Sequence, residues 1–178
     1  ALSLASSELK NEVLIKAADN LIADTDKILK ANAEDIKNLS PEKAHAFKDR
    51  LLLNEERIKA MAEGVRKVAS LPDPVGRVLA SWRVPSGLEI SRVTIPLGVL
   101  CVIFEARPNV CADAAALCFK AGSSVILRGG GDSFNSCLAI YDCFKKALEE
   151  CSLPQGCINL VPSKDHEAVD ILLKQEDY

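Results

Sequence analysis

The sequence predicts an α/β fold with a parallel sheet, on three observations. From Pro96 onward, short apolar runs alternate with helical segments in the order βαβαβα, the pattern of parallel strands joined by helical crossovers. The runs Gly98–Phe104 and Val125–Leu127 are unbroken rather than alternating, which suits strands covered on both faces. A glycine run, Arg128-Gly129-Gly130-Gly131, follows the second strand directly. Open α/β sheets bind ligands at such strand ends.

Residues 1–72 are expected to be helical. Leu9, Val13, Ala17, Leu21, Ile28 and Ile36 recur at helical spacing and predict one long helix over 3–38. Ser40 as N-cap and Pro41 at the first helical position predict a second. Asn54, followed by Glu55 and Glu56, opens a third that faces Ile58, Met61, Val65 and Val68 inward and runs to about Ser70. The prolines of Leu71-Pro72-Asp73-Pro74 stop it. Residues 73–95 read as a hairpin, Arg77–Val84 and Leu88–Ile95 about Pro85-Ser86-Gly87. Its apolar Val78, Leu79 and Trp82 predict an arm that pairs with another subunit.

Residues 96–178 carry the sheet. The first strand is followed by Glu105-Ala106-Arg107-Pro108 and a helix over Val110–Phe119. Gly122 provides the positive φ of a helix C-terminus. Asp132 or Ser133 caps a helix to Glu150. Leu153–Gly156 is a turn, Cys157–Val161 a third strand, and Asp165–Lys174 a further helix. A sheet of only three parallel strands predicts that the domain continues beyond Tyr178.

Composition narrows the function. The 178 residues are 48% hydrophobic, enough for a sizeable core, and 22 basic against 25 acidic residues leave a net charge of −3. That balance does not attract nucleic acid, and no run reaches membrane-spanning length. The opening Ala1-Leu2-Ser3-Leu4-Ala5 lacks the charged and apolar regions of a secretory signal. Seven cysteines occur, none in a C-x-x-C pair, and His45 and His166 stand apart from them. They read as small buried hydrophobes in a reducing, cytoplasmic setting, with no metal site. Cys111, close after Arg107, is the one candidate thiol nucleophile. The glycine run is neither a G-x-G-x-x-G fingerprint nor a P-loop. A nucleotide site of unusual form and a simple sharp turn both remain open on spacing alone.

P-L-G-V-L-C-V-I-F-E-A-R-P-N-V (96–110) and A-A-A-L-C-F-K-A-G-S-S-V-I-L-R-G-G (114–130) closely resemble the γ-glutamyl phosphate reductase family, which includes the C-terminal half of pyrroline-5-carboxylate synthases. D-P-V-G-R-V (73–78), S-G-L-E-I (86–90) and L-P-Q-G-C-I-N-L-V (153–161) extend the match over nearly the whole chain. The more distant kinship is with aldehyde dehydrogenases. The resemblance implies an aldehyde-dehydrogenase-like fold: N-terminal helices, a hairpin oligomerisation arm, and part of a Rossmann-like NADP(H) domain. It implies NADPH-dependent reduction of L-glutamyl 5-phosphate to glutamate 5-semialdehyde in proline biosynthesis, through a cysteine thioester. The cysteine of that motif is matched by none of the seven here. A homo-oligomer, and a glutamate 5-kinase fused or associated, are the implied partners.

The same resemblance assigns residues. Arg128 is expected at the cofactor's ribose or 2′-phosphate, with Gly129 and Gly130 allowing close approach. Asp132, where the family has an acid one methylene longer, is a candidate for a ribose hydroxyl. Glu105, Ala106, Arg107 and Pro108 would lie under the nicotinamide. Arg107 is a candidate for the substrate's phosphate or carboxylate, or for an ion pair with Glu105 or Asp113. Asn109 is the counterpart of the aldehyde dehydrogenase oxyanion donor. Ser123, where the family has Asn, is expected to carry a small conformational cost. Two other readings stand beside this one: a different enzyme of the superfamily, and a non-catalytic nucleotide-binding or oligomerisation module.

Overall fold

A computed structural model describes residues 2–43, 45–165 and 167–175; the chain end at Glu176–Tyr178 and His166 lie outside them. Helices α1 (Ser7–Ala23), α2 (Thr25–Lys37), α3 (His45–Leu51) and α4 (Glu55–Ser70) precede an antiparallel hairpin of β1 (Val78–Arg83) and β2 (Glu89–Val93). The parallel part follows as β3 (Val99–Ile103), α5 (Pro108–Lys120), β4 (Ser124–Arg128), α6 (Phe134–Glu150), β5 (Ile158–Leu160) and α7 (Glu167–Leu173). Its strand order is β3-β4-β5, with Val99 opposite Ser124 and Val125 opposite Ile158.

The expected single helix over 3–38 is two helices. Asp24 leaves helical geometry at ψ 19°, and the Thr25 hydroxyl donates to the carbonyls of Leu21 and Ile22. Side-chain hydrogen bonds of this kind compete with the helical ladder and split it. Ser40 is not an N-cap. Its carbonyl accepts from the Lys43 N–H at 3.1 Å, so Pro41 takes the second position of a β-turn, and the helix begins at His45. Asn54 does cap α4, accepting from the Arg57 N–H at 2.8 Å.

Strand β3 departs from expectation. It was expected to be buried on both faces, yet Val99, Cys101 and Ile103 are exposed and Leu100 and Val102 half-buried. Its apolar run is that of a central strand, but among the described residues it lies at the sheet edge. Central β4 is covered, with Val125 and Leu127 fully buried. Gly122 has φ 72°, as its helix end requires, and a Cβ there would meet Pro96 at 3.0 Å. Ser123 carries no conformational cost: its φ is not positive, and its hydroxyl accepts the Leu97 N–H at 3.0 Å.

One hydrophobic core runs from α1 (Val13, Leu14, Ala17, Leu21) through α4 and α5 to α6 (Ile140, Phe144, Leu148) and the sheet. Buried area of this kind contributes roughly 25 cal/mol per Å². Polar groups cross the same core. The Lys10 ammonium, in a side chain only 2% exposed, meets the Asp73 carboxylate at 2.5 Å and the Lys120 carbonyl at 3.3 Å. Lys120 in turn donates to Asn11 and to the Ala69 carbonyl. This network fixes the base of the hairpin to α1 and α5. The hairpin itself leaves Val78, Leu79, Trp82 and Leu88 exposed.

Burial pushes the Asp73 carboxyl up, but donation from Lys10, Ser7 and the Val75 N–H outweighs it and brings the group down to about 2 from 3.8. A depressed carboxylate stabilises the fold fully above its ordinary value and loses that contribution as pH falls toward about 2. Asp73→Asn leaves the Lys10 ammonium buried without a counter-charge, and is expected to cost about 3 kcal/mol. Urea midpoints at neutral pH will show the loss, and an acid titration of the variant will lack the limb between those two values.

Candidate functional site

The carboxyl ends of β3, β4 and β5 converge on two stacked loops. The Phe104 N–H donates to the Arg128 carbonyl at 3.0 Å, and the Val161 N–H to the Leu127 carbonyl at 2.9 Å. The glycine loop therefore lies against Glu105-Ala106. A Cβ at Gly130 would stand 3.1 Å from the Ala106 nitrogen, and one at Gly129 would stand 3.2 Å from both Cys137 Sγ and the Phe104 ring. These two glycines are required by the close approach of chain to chain. A Cβ at Gly131 would meet nothing nearer than 3.6 Å.

Arg128 is turned inward. It is 4% exposed and donates to the carbonyls of Gly129 at 2.5 Å and of Lys164 and Asp165 at 3.0 Å each. The guanidinium thus ties the glycine loop to the loop after β5, and its buried Nε has no acceptor. Asp132 pairs with Lys43 at 3.1 Å, bringing the α2–α3 connection onto the same loop. Lys164 lies 5.2 Å from the Phe134 ring centroid.

The N-terminus of α6 would be the default place for an anion. Here Asp35 of α2 fills it. Its carboxylate, 3% exposed, accepts from the N–H groups of Asn135 (3.2 Å) and Ser136 (2.8 Å), the Asn135 amide (2.8 Å) and the Ser136 hydroxyl (2.6 Å).

On the other side of the Glu105–Asn109 loop, a cavity of about 510 Å³ opens between α3, α4 and the start of α5. Arg107 and Asn109 line it, together with Asp49, Arg50, Arg57, Met61 and Asp113. Pro108 is buried as the first residue of α5, where a missing N–H costs nothing. Asn109 Nδ2 donates to Asp113 Oδ2 at 3.4 Å. Withheld solvent pushes the Asp113 carboxyl up, and this contact offsets only part of it. Arg57 is committed to Asp49 (2.8 Å) and the Leu52 carbonyl (2.7 Å).

All seven cysteines are free thiols. Cys111 is no nucleophile: it is fully buried, its Sγ faces the Cys137 carbonyl at 3.6 Å, and the Cys137 contact and burial hold its thiol well above the ordinary range. Burial pushes Cys143 up to about 12. Cys137, lowered by its contact with Cys111, is buried out of reach. Cys101 is exposed, contrary to the expected burial, because with Val99 and Ile103 it points to the sheet face opposite the one on which Val125 and Leu127 join the core with α5 and α6. No cluster of three metal-ligating side chains occurs among the described residues.

The structure thus brings Glu105 and Ala106 against Gly130, while Arg107 and Asn109 line the cavity on the other side of their loop and Asp132 pairs with Lys43. It also brings in Lys43, Asp49, Arg50, Arg57 and Lys164, which sequence spacing does not join, and Asp113, which stands by Asn109 and not, as one reading expects, in an ion pair with Arg107. A helical layer followed by a hairpin and a parallel sheet with stacked loops at its carboxyl edge defines a nucleotide-site α/β architecture. The aldehyde dehydrogenase family profile matches residues 4–178, and the chain belongs to that family. The expected likeness is borne out: a γ-glutamyl phosphate reductase from Rhodopseudomonas palustris is 51% identical over 97% of this chain and 40% of its own. The solved γ-glutamyl phosphate reductase from Thermotoga maritima superposes with TM-score 0.96 at 34% identity, over 99% of this chain and 43% of that one. The enzyme of the same name from Saccharomyces cerevisiae gives TM-score 0.89 at 33% identity, over 99% and 45%. The chain therefore spans about 40% of the curated relatives it matches.

The fold implies a nicotinamide cofactor, and the residues present fit one. The glycine loop lies at the strand ends, its Gly131 has nothing nearer than 3.6 Å to an added Cβ, and the Lys43 and Lys164 ammoniums flank it. Gly130→Ala forces a Cβ onto backbone and is expected to cost about 1–3 kcal/mol. Gly131→Ala meets only ordinary contacts. Thermal melts of the two variants should differ, with Gly130→Ala lowered and Gly131→Ala close to the parent.

Proposed function

We propose that this chain is the cofactor-side part of an enzyme that reduces L-glutamyl 5-phosphate to glutamate 5-semialdehyde with NADPH, in the cytoplasm. The observation that carries the reading is the contact of Glu105-Ala106 with Gly130 at the strand ends, with a cavity lined by Arg50, Arg57 and Arg107 beside the same loop. A thiolate supplied from outside this chain displaces phosphate from the acyl carbon, forming a C–S bond as the C–O bond breaks. NADPH, when bound, supplies the hydride that converts the thioester to aldehyde and frees the thiolate. This chain's residues hold and orient. Asn109 stands at the cavity edge to donate to the developing oxyanion. Arg107 offers a guanidinium to the phosphate.

A cofactor bound here would meet the loop set by Gly129 and Gly130, with Asp132 available to a ribose hydroxyl and Arg128 holding the loop from beneath. Glu105, Ala106, Arg107 and Pro108 would form the floor under its nicotinamide. Lys164 and Lys43 supply positive charge for a 2′-phosphate, which favours NADP(H) over NAD(H). The exposed apolar hairpin pairs with a second copy of the chain, giving a homo-oligomer, and a glutamate 5-kinase is the partner that provides the unstable acyl phosphate.

The full-length protein should reduce NADP in the presence of both pyrroline-5-carboxylate and phosphate. Turnover without phosphate would move the function to an aldehyde-oxidising relative. In fluorescence titrations Lys164→Ala should weaken NADPH more than NADH, whereas Arg128→Ala should weaken both. A loss confined to NADPH in Arg128→Ala would put that guanidinium on the 2′-phosphate instead. Deleting Arg77–Val93 should lower the assembly's mass by light scattering; an unchanged mass would refute the arm.

A further inference from the structure

The cavity between α3, α4 and α5 holds committed and uncommitted charge side by side. Arg57 and Asp49 neutralise one another. Among the described residues, the guanidiniums of Arg50 and Arg107 donate to no protein acceptor, and the Asp113 carboxylate has only the long contact from Asn109. Two free cations and one free anion around about 510 Å³ are a poor lining for an apolar aldehyde. They complement a small molecule that carries an ammonium, a carboxylate and a further anion. A volume of this size holds ligands of that class.

We infer that this cavity is the recognition site for the amino-acid end of the substrate, with Asp113 receiving the α-ammonium and Arg50 the α-carboxylate. The inference rests on the proposed reaction and assigns its specificity. Asp113 and Asn109 lie one helical turn apart on α5, so an ammonium at Asp113 sets the reach of the same molecule's carbonyl to the Asn109 amide. Arg107, at the mouth of the helix, then faces the phosphoryl end. A guanidinium matches a carboxylate with two parallel N–H donors, which fixes orientation as well as charge.

The test compares two aldehydes on the full-length protein with NADP and phosphate. Glutamate 5-semialdehyde carries the α-ammonium, and 5-oxopentanoate has the same carbon chain and carboxylate without it. Asp113→Asn should raise KM for the first by about 10- to 100-fold, the value of a charged hydrogen bond, and leave KM for the second unchanged. Arg50→Gln should raise KM for both while the KM for phosphate stays constant. NADP binding by fluorescence and the melting temperature should be those of the parent in both variants. An equal change on both aldehydes in Asp113→Asn, an unmoved KM in Arg50→Gln, or a loss of NADP binding would overturn the assignment while leaving the reaction intact. Failure of the parent protein to turn over glutamate 5-semialdehyde with phosphate would overturn the reaction and the assignment together.

Discussion

One turn of α2 organises the site. Asn32 and Asp35, three residues apart and both nearly excluded from solvent, face the core from that turn. The Asn32 amide donates to the Leu51 carbonyl at 2.9 Å and the Ser136 hydroxyl at 3.0 Å, and its oxygen accepts the Leu53 N–H at 2.8 Å. Asp35 receives the start of α6 through four donors. The Leu51–Leu53 connector is a wall of the cavity, and α6 is the helix that leaves the glycine loop. Both halves of the site are therefore referred to the same two side chains. A buried carboxylate is tolerated only when its oxygens are satisfied, and a single missing donor would cost about 1–3 kcal/mol. The arrangement is consequently stiff.

Asp35 also decides where a ligand's charge does not go. A carboxylate already occupies the N-terminal donors of α6, so an anion placed there would meet like charge as well as spent N–H groups. The glycine loop serves the same end. Gly129 and Gly130 bring two loops into contact, and Arg128 locks the stack to the β5 side from within. The loop is a rigid ledge.

Elements with strong local determinants were legible in the sequence. Asn54, Gly122 and Pro72 announced their helix ends, and Gly87, at φ 86°, turned the hairpin as expected. The Glu105–Asn109 and Arg128–Asp132 segments were recognised from their own residues. What failed depended on tertiary partners. The break at Asp24 rests on Thr25 bonding back to its own turn, which apolar periodicity does not register. The apolar neighbours of Cys101 predict burial on both faces, yet only the face shared with Val125 and Leu127 is covered by helices. Arg50 and Asp113 meet at one cavity only because α3 and α5 are packed together, and no spacing rule links positions so far apart. Nothing in the local sequence marks Asp35 as buried, because all four of its donors come from the start of α6.

The two sides of the Glu105–Asn109 loop differ in how their charges are spent. Facing the glycine loop, charged groups are largely used up: Arg128 on carbonyls, Asp132 on Lys43, Asp35 on α6. Facing the cavity, Arg50, Arg107 and Asp113 remain available. Groups whose hydrogen bonds are complete within the protein hold geometry, because moving them strands a buried donor or acceptor. Groups left incomplete can exchange water for a ligand at small cost. On the proposed reading, the first side would position an extended cofactor, and the second would select a small polar molecule by its charges. Arg107 and Asn109 stand at the start of α5, on the boundary between the two, where the proposed reaction would bring its reacting carbon.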